Sequence, residues 1–146
     1  TLAILDGMSV SVGQEIFIVP LTFIVESLQP AGKDIKTMAG MGTVVHVRGE
    51  YLPVVALHQV LNLRPNVTEF EHGIMVIVES EGCKSAMFVD NLLGQHQVVI
   101  KSLESNYRKV PGVSGATIMG DGKVALILDV DALVRRTLRE EERQAA

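Results

Sequence analysis

The chain has 146 residues and a net charge of −4, with 47% hydrophobic residues, 4% aromatic residues and no Trp. The acidic balance argues against nucleic acid, whose phosphates need a basic face, and against anionic membrane surfaces. The single cysteine, Cys83, excludes an intrachain disulfide and fits a reducing cytoplasm. No apolar run reaches the ~18 residues of a membrane span, and an opening apolar run without Met is expected of a fragment of a longer polypeptide. The length suits one domain with a mainly aliphatic core, which favours strands.

Two glycine-containing turns in the first half predict β-hairpins. Strands are predicted over residues 9–12 and 15–19, around Gly13-Gln14, and over residues 43–48 and 51–57, around Gly49-Glu50. Glycine in the first turn position predicts a type II′ turn at Gly49, because glycine reaches positive φ without steric cost. Apolar residues at helical spacing over 21–28 predict a short helix that ends before Pro30. The polar segment 62–72 predicts a link between two lobes.

The second half continues the pattern of short strands. Strands are predicted over residues 74–79, 85–90, 97–101, 116–119 and 123–128, and an amphipathic helix follows, capped by Asp129 or Asp131. Regular short strands with little helix predict small barrels or a sandwich. Two small barrels fit better than one large barrel, because residues 62–72 divide the strands about evenly.

Three motifs occur in order along the chain: residues 47–57 (VRGEYLPVVAL), 86–101 (AMFVDNLLGQHQVVIK) and 120–129 (GDGKVALILD). They resemble the CheW-like family, and residues 1–8 (TLAILDGM) and 103–112 (LESNYRKVPG) resemble the regulatory domain of CheA-type chemotaxis kinases. The resemblance implies a mainly β fold of two SH3-like, five-stranded β-barrel lobes with short helices and a C-terminal helix. It also implies that residues 1–8 are the end of a kinase domain. One hypothesis for this segment is a hinge at Asp6 and Gly7, because hinges are a few residues that absorb backbone change. The alternative is that Leu2, Ile4 and Leu5 pack onto the domain. Residues 9–138 would be the CheW-like regulatory domain, with its link near 62–72, and residues 139–146 a charged tail.

The resemblance implies a non-catalytic coupling role in cytoplasmic chemotaxis signalling. Such a domain would bind the adaptor CheW and chemoreceptor cytoplasmic tips, and would relay receptor state to the kinase domain of the same chain. It would be recruited to membrane receptor arrays through these partners, without cofactor, nucleic acid or direct membrane contact. A free-standing CheW-type adaptor is the first alternative. A small barrel that binds ligand or nucleic acid, and an enzyme, are the others, and the lack of an aromatic and basic face counts against nucleic acid.

The titratable residues form no catalytic or metal-binding pattern in the sequence. The four histidines lack ligand spacing, and Cys83 has no neighbouring histidine that could activate its thiol. Asp90 follows an apolar strand without a visible partner, which predicts a turn former. We therefore expect neither an active site nor a metal centre.

Two surface segments are candidates for partner binding. The first is the hairpin around Gly49, because Tyr and Arg are enriched at binding hot spots and Met is an adaptable contact. Its candidate residues are Arg48, Glu50, Tyr51 and Leu52, with Met38 and Met41 from the preceding segment. The alternative is an ordinary solvated hairpin with Tyr51 partly in the core. The second candidate is loop 103–112, with Tyr107, Arg108 and Lys109, for which a merely stabilising loop is the alternative.

Overall fold

Two β lobes make up the computed structural model, which describes residues 3–40, 42–102 and 112–145. The strands of lobe 1 are β1 (Ala3–Val12), β2 (Glu15–Pro20), β9 (Asn91–Ser102), β10 (Val113–Ile118) and β11 (Val124–Leu128). They form a closed barrel in the order β1-β2-β11-β10-β9. Because β1 pairs with both β2 and β9, and β11 pairs in parallel with β2, the barrel unites strands from both halves of the chain.

Lobe 2 is formed by the middle of the chain. Its strands are β3 (Ile24–Leu28), β4 (Ile35–Met38), β5 (Gly42–Val47), β6 (Glu50–Ala56), β7 (Ile74–Ser80) and β8 (Cys83–Val89). They form one six-stranded sheet in the order β3-β7-β8-β6-β5-β4, in which β6 and β8 run parallel. Leu28 of β3 and Ile35 of β4 pack against the same buried cluster, so the sheet curls until its two edges face one core.

Short helical segments connect these strands and a longer helix ends the fold. One helical turn, α1 (Leu57–Val60), follows β6, and single 3-10 turns occupy Leu21–Phe23, Gly32–Asp34 and Phe70–His72. The last helix is α2 (Val130–Ala145). Asp129 caps it, because its Oδ1 accepts a hydrogen bond from the Ala132 amide at 3.2 Å, as the sequence predicted.

The two lobes share the largest apolar cluster of the described chain. Lobe 1 contributes Val10 and Phe17, lobe 2 contributes Val55 and Met87, and α2 contributes Leu133. These side chains are almost fully buried. Smaller clusters fill the inside of each lobe, around Ile18 and Ile127 in lobe 1 and around Phe88 in lobe 2. Since apolar burial is the main stabilising term in folding, the shared cluster joins the lobes into one unit.

The mainly β, two-lobe architecture is confirmed, and three details of the prediction are wrong. Residues 62–72 connect β6 and β7, both in lobe 2, so they do not divide the lobes. The prediction assigned strands to lobes by their order in the sequence, whereas β9 pairs with β1 and β11 pairs with β2 from the opposite end of the chain. The helix predicted over 21–28 is a single 3-10 turn followed by β3, since pairing with β7 outweighs the helical spacing. Lobe 2 also has six strands instead of five.

The hairpin turn between β5 and β6 lies one residue earlier than predicted. Arg48 and Gly49 both have positive φ, at 50° and 84°, and Val47 pairs with Glu50. This is the type I′ geometry, whose twist matches that of the flanking strands, instead of the predicted type II′ turn. The side chain of Arg48 is therefore carried by the turn itself.

Candidate partner-binding surfaces

The outer face of strands β4, β5 and β6 carries four exposed side chains that form the first candidate surface. Strand alternation places Lys36 and Met38 of β4 on this face, together with His46 of β5 and its direct cross-strand partner Tyr51 of β6. The rings of His46 and Tyr51 are 4.8 Å apart between centroids, and Lys36 Nζ lies 5.9 Å from the centre of the Tyr51 ring. We call Lys36, Met38, His46 and Tyr51 the outer face of lobe 2.

Tyr51 and Met38 are the large apolar side chains on this face, with 40% and 37% of their surface exposed. Both residues, which the sequence singled out, are exposed on one face, with Tyr51 beside His46 and Met38 opposite Gly42 of β5. The tyrosine ring is held in place by its two neighbours, because ring stacking and a cation over the ring face are both attractive. A rigid, amphipathic ring on an exposed face is the typical anchor of a protein–protein interface.

The tip of the same hairpin carries opposite charges. Arg48 Nε donates a hydrogen bond to Glu26 Oε2 of β3 at 2.8 Å, and Arg48 Nη2 donates to the other carboxylate oxygen at 3.3 Å. This hydrogen bond, and the negative charge of Glu26, raise the pKa of Arg48 above its ordinary value. The pair bridges the hairpin and edge strand β3 across the curled sheet. Glu50 is exposed beside it at the start of β6.

The remaining predicted site residues differ in outcome. The prediction of Leu52 as a contact residue is wrong, because its side chain points into lobe 2 and only 6% of its surface is exposed. It packs with Val45 and Val54. Alternation along β6 places it on the face opposite to Tyr51. Met41 lies outside the described residues, as do the second-loop candidates Tyr107, Arg108 and Lys109.

The predicted hinge at Asp6 and Gly7 does not fit the position of these residues. Both lie inside β1, where Gly7 is paired with Pro20 of β2 and with His96 of β9. A Cβ atom on Gly7 would lie 2.3 Å from Ile18 Cγ2, so the glycine permits close packing. The barrel begins at Ala3, and residues 3–8 belong to it instead of to a preceding hinge. Likewise, residues 139–145 continue α2.

A second apolar surface lies on lobe 1, where β9 and β10 diverge. These strands pair only at Ser102–Gly115 and Lys101–Ala116, and beyond them an open groove of about 540 Å³ separates the strands. Val99, Ile118 and Val124 line the groove, and Ile4 lies directly across from Val99 on β1. Between 47% and 74% of the surface of each of these four residues is exposed. We call Ile4, Val99, Ile118 and Val124 the apolar groove of lobe 1.

Sequence reasoning missed the apolar groove, although the chain contained a signal for it. A half-buried strand normally alternates apolar and polar residues. In β9, the three consecutive residues Val98, Val99 and Ile100 are all apolar. Val98 is buried, whereas Val99 is exposed. In this lobe one of the two faces is the outer wall of the barrel.

The charged side chains of the described residues suggest no catalytic constellation. Glu69, Glu71 and His72 come together on the surface, and all three are exposed. His72 Nδ1 lies 3.3 Å from Glu69 Oε2. No helix in the described part of the chain is long and apolar enough to cross a membrane.

A fold of two β lobes with an exposed apolar surface on each defines a protein-interaction module. The family model of the CheW-like domain matches residues 6–138. The chain belongs to the CheW-like domain family. This family has a non-catalytic coupling fold, in agreement with the prediction that the domain is not an enzyme.

The curated relatives point to one kind of protein within this family. The chain is 59% identical over 133 residues to the chemotaxis protein CheA of Klebsiella aerogenes, covering 91% of this chain and 20% of that protein. It is 57% identical over 145 residues to CheA of Salmonella typhimurium, covering 99% of this chain and 21% of that protein. The chain thus matches the regulatory domain of CheA and spans about a fifth of the length of these relatives.

A solved structure supports the fold independently. The crystal structure of the scaffolding protein TtCheW from Thermoanaerobacter tengcongensis matches with a TM-score of 0.72 at 17% identity. The match covers 90% of this chain and 92% of that one. The two-lobe arrangement is therefore the fold of a CheW-type scaffold.

Proposed function

We propose that this domain is the regulatory, coupling domain of a CheA-type chemotaxis kinase. It binds the adaptor CheW, docks at the cytoplasmic tips of chemoreceptors, and relays receptor state to a kinase domain of the same polypeptide in the cytoplasm. The observation that carries the proposal is the presence of one exposed apolar surface on each lobe. The domain needs no cofactor for this role, because binding and positioning are its whole contribution.

The outer face of lobe 2 is the first proposed CheW contact. Burial of the Tyr51 ring and of Met38 supplies apolar area, while Lys36, Arg48 and Glu50 supply a charged rim. This arrangement of an apolar centre and a polar rim is typical of specific protein interfaces. Edge strand β4 lies beside it and pairs with β5 on one side only among the described strands. A partner can therefore approach both the face and the edge.

The apolar groove of lobe 1 is the second proposed contact. A domain with one partner site on each lobe can join two partner molecules and extend an array. Two contacts of modest affinity then give high overall avidity, because the second binding event occurs at a high effective concentration. Residues 103–112 remain a candidate third contact.

A free-standing adaptor of the CheW type is the alternative proposal, supported by the TM-score to the scaffolding protein. Identity of 57–59% to CheA, over more than 90% of this chain, favours the kinase-linked role. The sequence of the gene upstream of Thr1 distinguishes the two, because only the kinase-linked domain continues into an ATP-binding domain.

Isothermal titration with CheW from the same source tests the lobe 2 contact. We expect Tyr51→Ala to weaken binding by about tenfold or more, the loss typical of an aromatic hot spot. Tyr51→Phe retains the ring and should bind nearly as well as the unmodified domain. Leu93→Ala is the matched control, because Leu93 is 53% exposed and belongs to neither surface. Unchanged affinity of a folded Tyr51→Ala variant would refute the contact.

The lobe 1 contact is tested by the same titration with Ile118→Ser. This substitution removes the most exposed apolar side chain of the groove and leaves the interior of the barrel unchanged. We expect it to reduce the number of CheW molecules bound per domain, or the affinity of one class of sites, while Tyr51→Ala affects the other class. Identical isotherms for Ile118→Ser and the unmodified domain would show that the groove is not a CheW site.

A further inference from the structure

The carboxylate of Asp90 joins three segments at the point where the chain crosses from lobe 2 to lobe 1. Asp90 lies between β8 and β9, and only 1% of its surface is exposed. Its Oδ2 accepts hydrogen bonds from the Gly13 and Asn66 amides, both at 2.7 Å, and its Oδ1 accepts one from the Val67 amide at 3.3 Å. Its own amide donates to the Ser11 carbonyl at 2.9 Å. Asp90 is therefore not the partnerless turn former that the sequence suggested.

The partners of Asp90 belong to different lobes. Gly13 forms the turn between β1 and β2 of lobe 1, whereas Asn66 and Val67 lie in the link between α1 and β7 of lobe 2. The Asn66 side chain adds a bond, since its Nδ2 donates to the Gly13 carbonyl at 3.1 Å. A Cβ atom on Gly13 would lie 2.1 Å from the Arg64 carbonyl oxygen, so the two backbones approach each other as closely as glycine allows.

This network differs in kind from the apolar cluster that the lobes share. The shared core is apolar, and apolar burial is non-directional, so by itself it specifies the angle between the lobes only loosely. Hydrogen bonds to a carboxylate are short and directional, and they are about twice as strong as neutral ones. Three amides that converge on one buried carboxylate therefore define a single register between the β1–β2 turn and residues 64–67.

We propose that Asp90 is a positioning residue that fixes the orientation of lobe 1 relative to lobe 2. Because each lobe carries one candidate partner surface, the same carboxylate sets the spacing between the outer face of lobe 2 and the apolar groove of lobe 1. This second consequence rests on the proposed function, whereas the orientation of the lobes does not. Asp90→Asn keeps the size of the side chain and removes its charge, so it weakens the network without opening a cavity.

The test is a distance measurement between the lobes by electron paramagnetic resonance. Cys83, the single cysteine, is exposed at the β7–β8 turn of lobe 2 and takes one spin label. Asp121→Cys places the second label at the exposed β10–β11 turn of lobe 1. We expect one narrow distance distribution in this labelled parent, and a distribution about twice as wide, or shifted, after Asp90→Asn, since a weakened register populates several orientations. The control is Asp6→Asn, an exposed carboxylate of β1, which should leave the distribution unchanged.

A folded Asp90→Asn variant with the distribution of the parent would overturn the proposal, because a purely stabilising role changes the unfolding midpoint and not the distance. If Asp90→Asn fails to fold, Asp90→Glu decides, since it keeps the charge but displaces the carboxylate from the three amides that it accepts from. A broadened distribution in that variant supports the proposal, and the distribution of the parent contradicts it. No partner is present in the experiment, so a failure of CheW binding leaves this result untouched.

Discussion

The two lobes solve the problem of sheet edges differently. Lobe 1 closes into a barrel around a small aliphatic cluster, and its candidate partner surface is a groove in the barrel wall where β9 and β10 diverge. Lobe 2 stays open, with β3 and β4 as edges, around a cluster that contains Phe88 and Phe70. Its candidate partner surface includes edge strand β4, and the Arg48–Glu26 pair connects the hairpin to the other edge strand, β3. One chain thus offers two kinds of surface, an apolar groove and an aromatic face with a charged rim.

The largest expected loss of stability comes from truncating a buried side chain in the core of each lobe. Phe88 is fully buried in lobe 2, and its ring lies 4.8 Å from the Phe70 ring and 6.2 Å from the His58 ring between centroids. We expect Phe88→Ala to lower the free energy of unfolding by about 3–5 kcal/mol, because it removes an aromatic ring and leaves a cavity. Urea unfolding followed by circular dichroism measures this, since the chain has no Trp.

The matched variant in lobe 1 is Ile127→Ala, for which we expect a loss of about 2–5 kcal/mol. Both variants should unfold in one cooperative transition, because the shared cluster couples the lobes. Two separate unfolding transitions in either variant would show that the two lobes unfold independently and do not form one unit.

The next effect tests whether the start of β1 is packed or hinged. Gly7→Ala places a methyl group 2.3 Å from Ile18 Cγ2 inside the barrel. We expect a loss of about 1–3 kcal/mol in the same unfolding experiment, because overpacking forces neighbours to shift. Gly120→Ala is the control, since a Cβ there meets no atom within 4 Å. A Gly7→Ala variant as stable as Gly120→Ala would restore the hinge interpretation.

The smallest expected change in stability concerns the turns of two hairpins of lobe 2, which have the same geometry. Glu81 and Arg48 both occupy the first position of a two-residue turn, with φ of 54° and 50°. Asn adopts this conformation more readily, so Glu81→Asn should raise the free energy of unfolding by up to about 1 kcal/mol. Arg48→Asn should raise it less, because it also breaks the pair with Glu26. A larger gain from Arg48→Asn would show that the pair does not stabilise the curled sheet.

The sequence contained enough to predict the local part of the fold. The hairpin around Gly13-Gln14 and the cap at Asp129 are confirmed, because turn residues and caps act over a few positions. The parallel pairs β2–β11 and β6–β8 left no local trace, since their partners are far apart in sequence. The role of residues 62–72 was therefore misjudged, and with it the partners of Asp90.

The residues of the candidate surfaces also fall into two groups, those that the local sequence indicates and those that only the tertiary fold brings together. Tyr51 and Met38 were predicted from residue type as interface anchors, and both are exposed, as such a role requires. Leu52 was misplaced, although the period of two along β6 sets it opposite to Tyr51. Ile4, Val99, Ile118 and Val124 come from four strands, β1, β9, β10 and β11, that only the closed barrel unites. Their exposure depends on the divergence of β9 and β10, which no pattern within one strand encodes.

Hydrogen exchange of the domain, alone and with saturating CheW from the same source, tests the central claim most directly. If each lobe carries a partner surface, amide exchange should slow in two separate regions, residues 36–51 on lobe 2 and residues 97–99 together with 116–124 on lobe 1. Peptides of the shared core should change little, because they are already buried. Slowed exchange at only one of these regions, or at neither, with CheW demonstrably bound, would contradict the account.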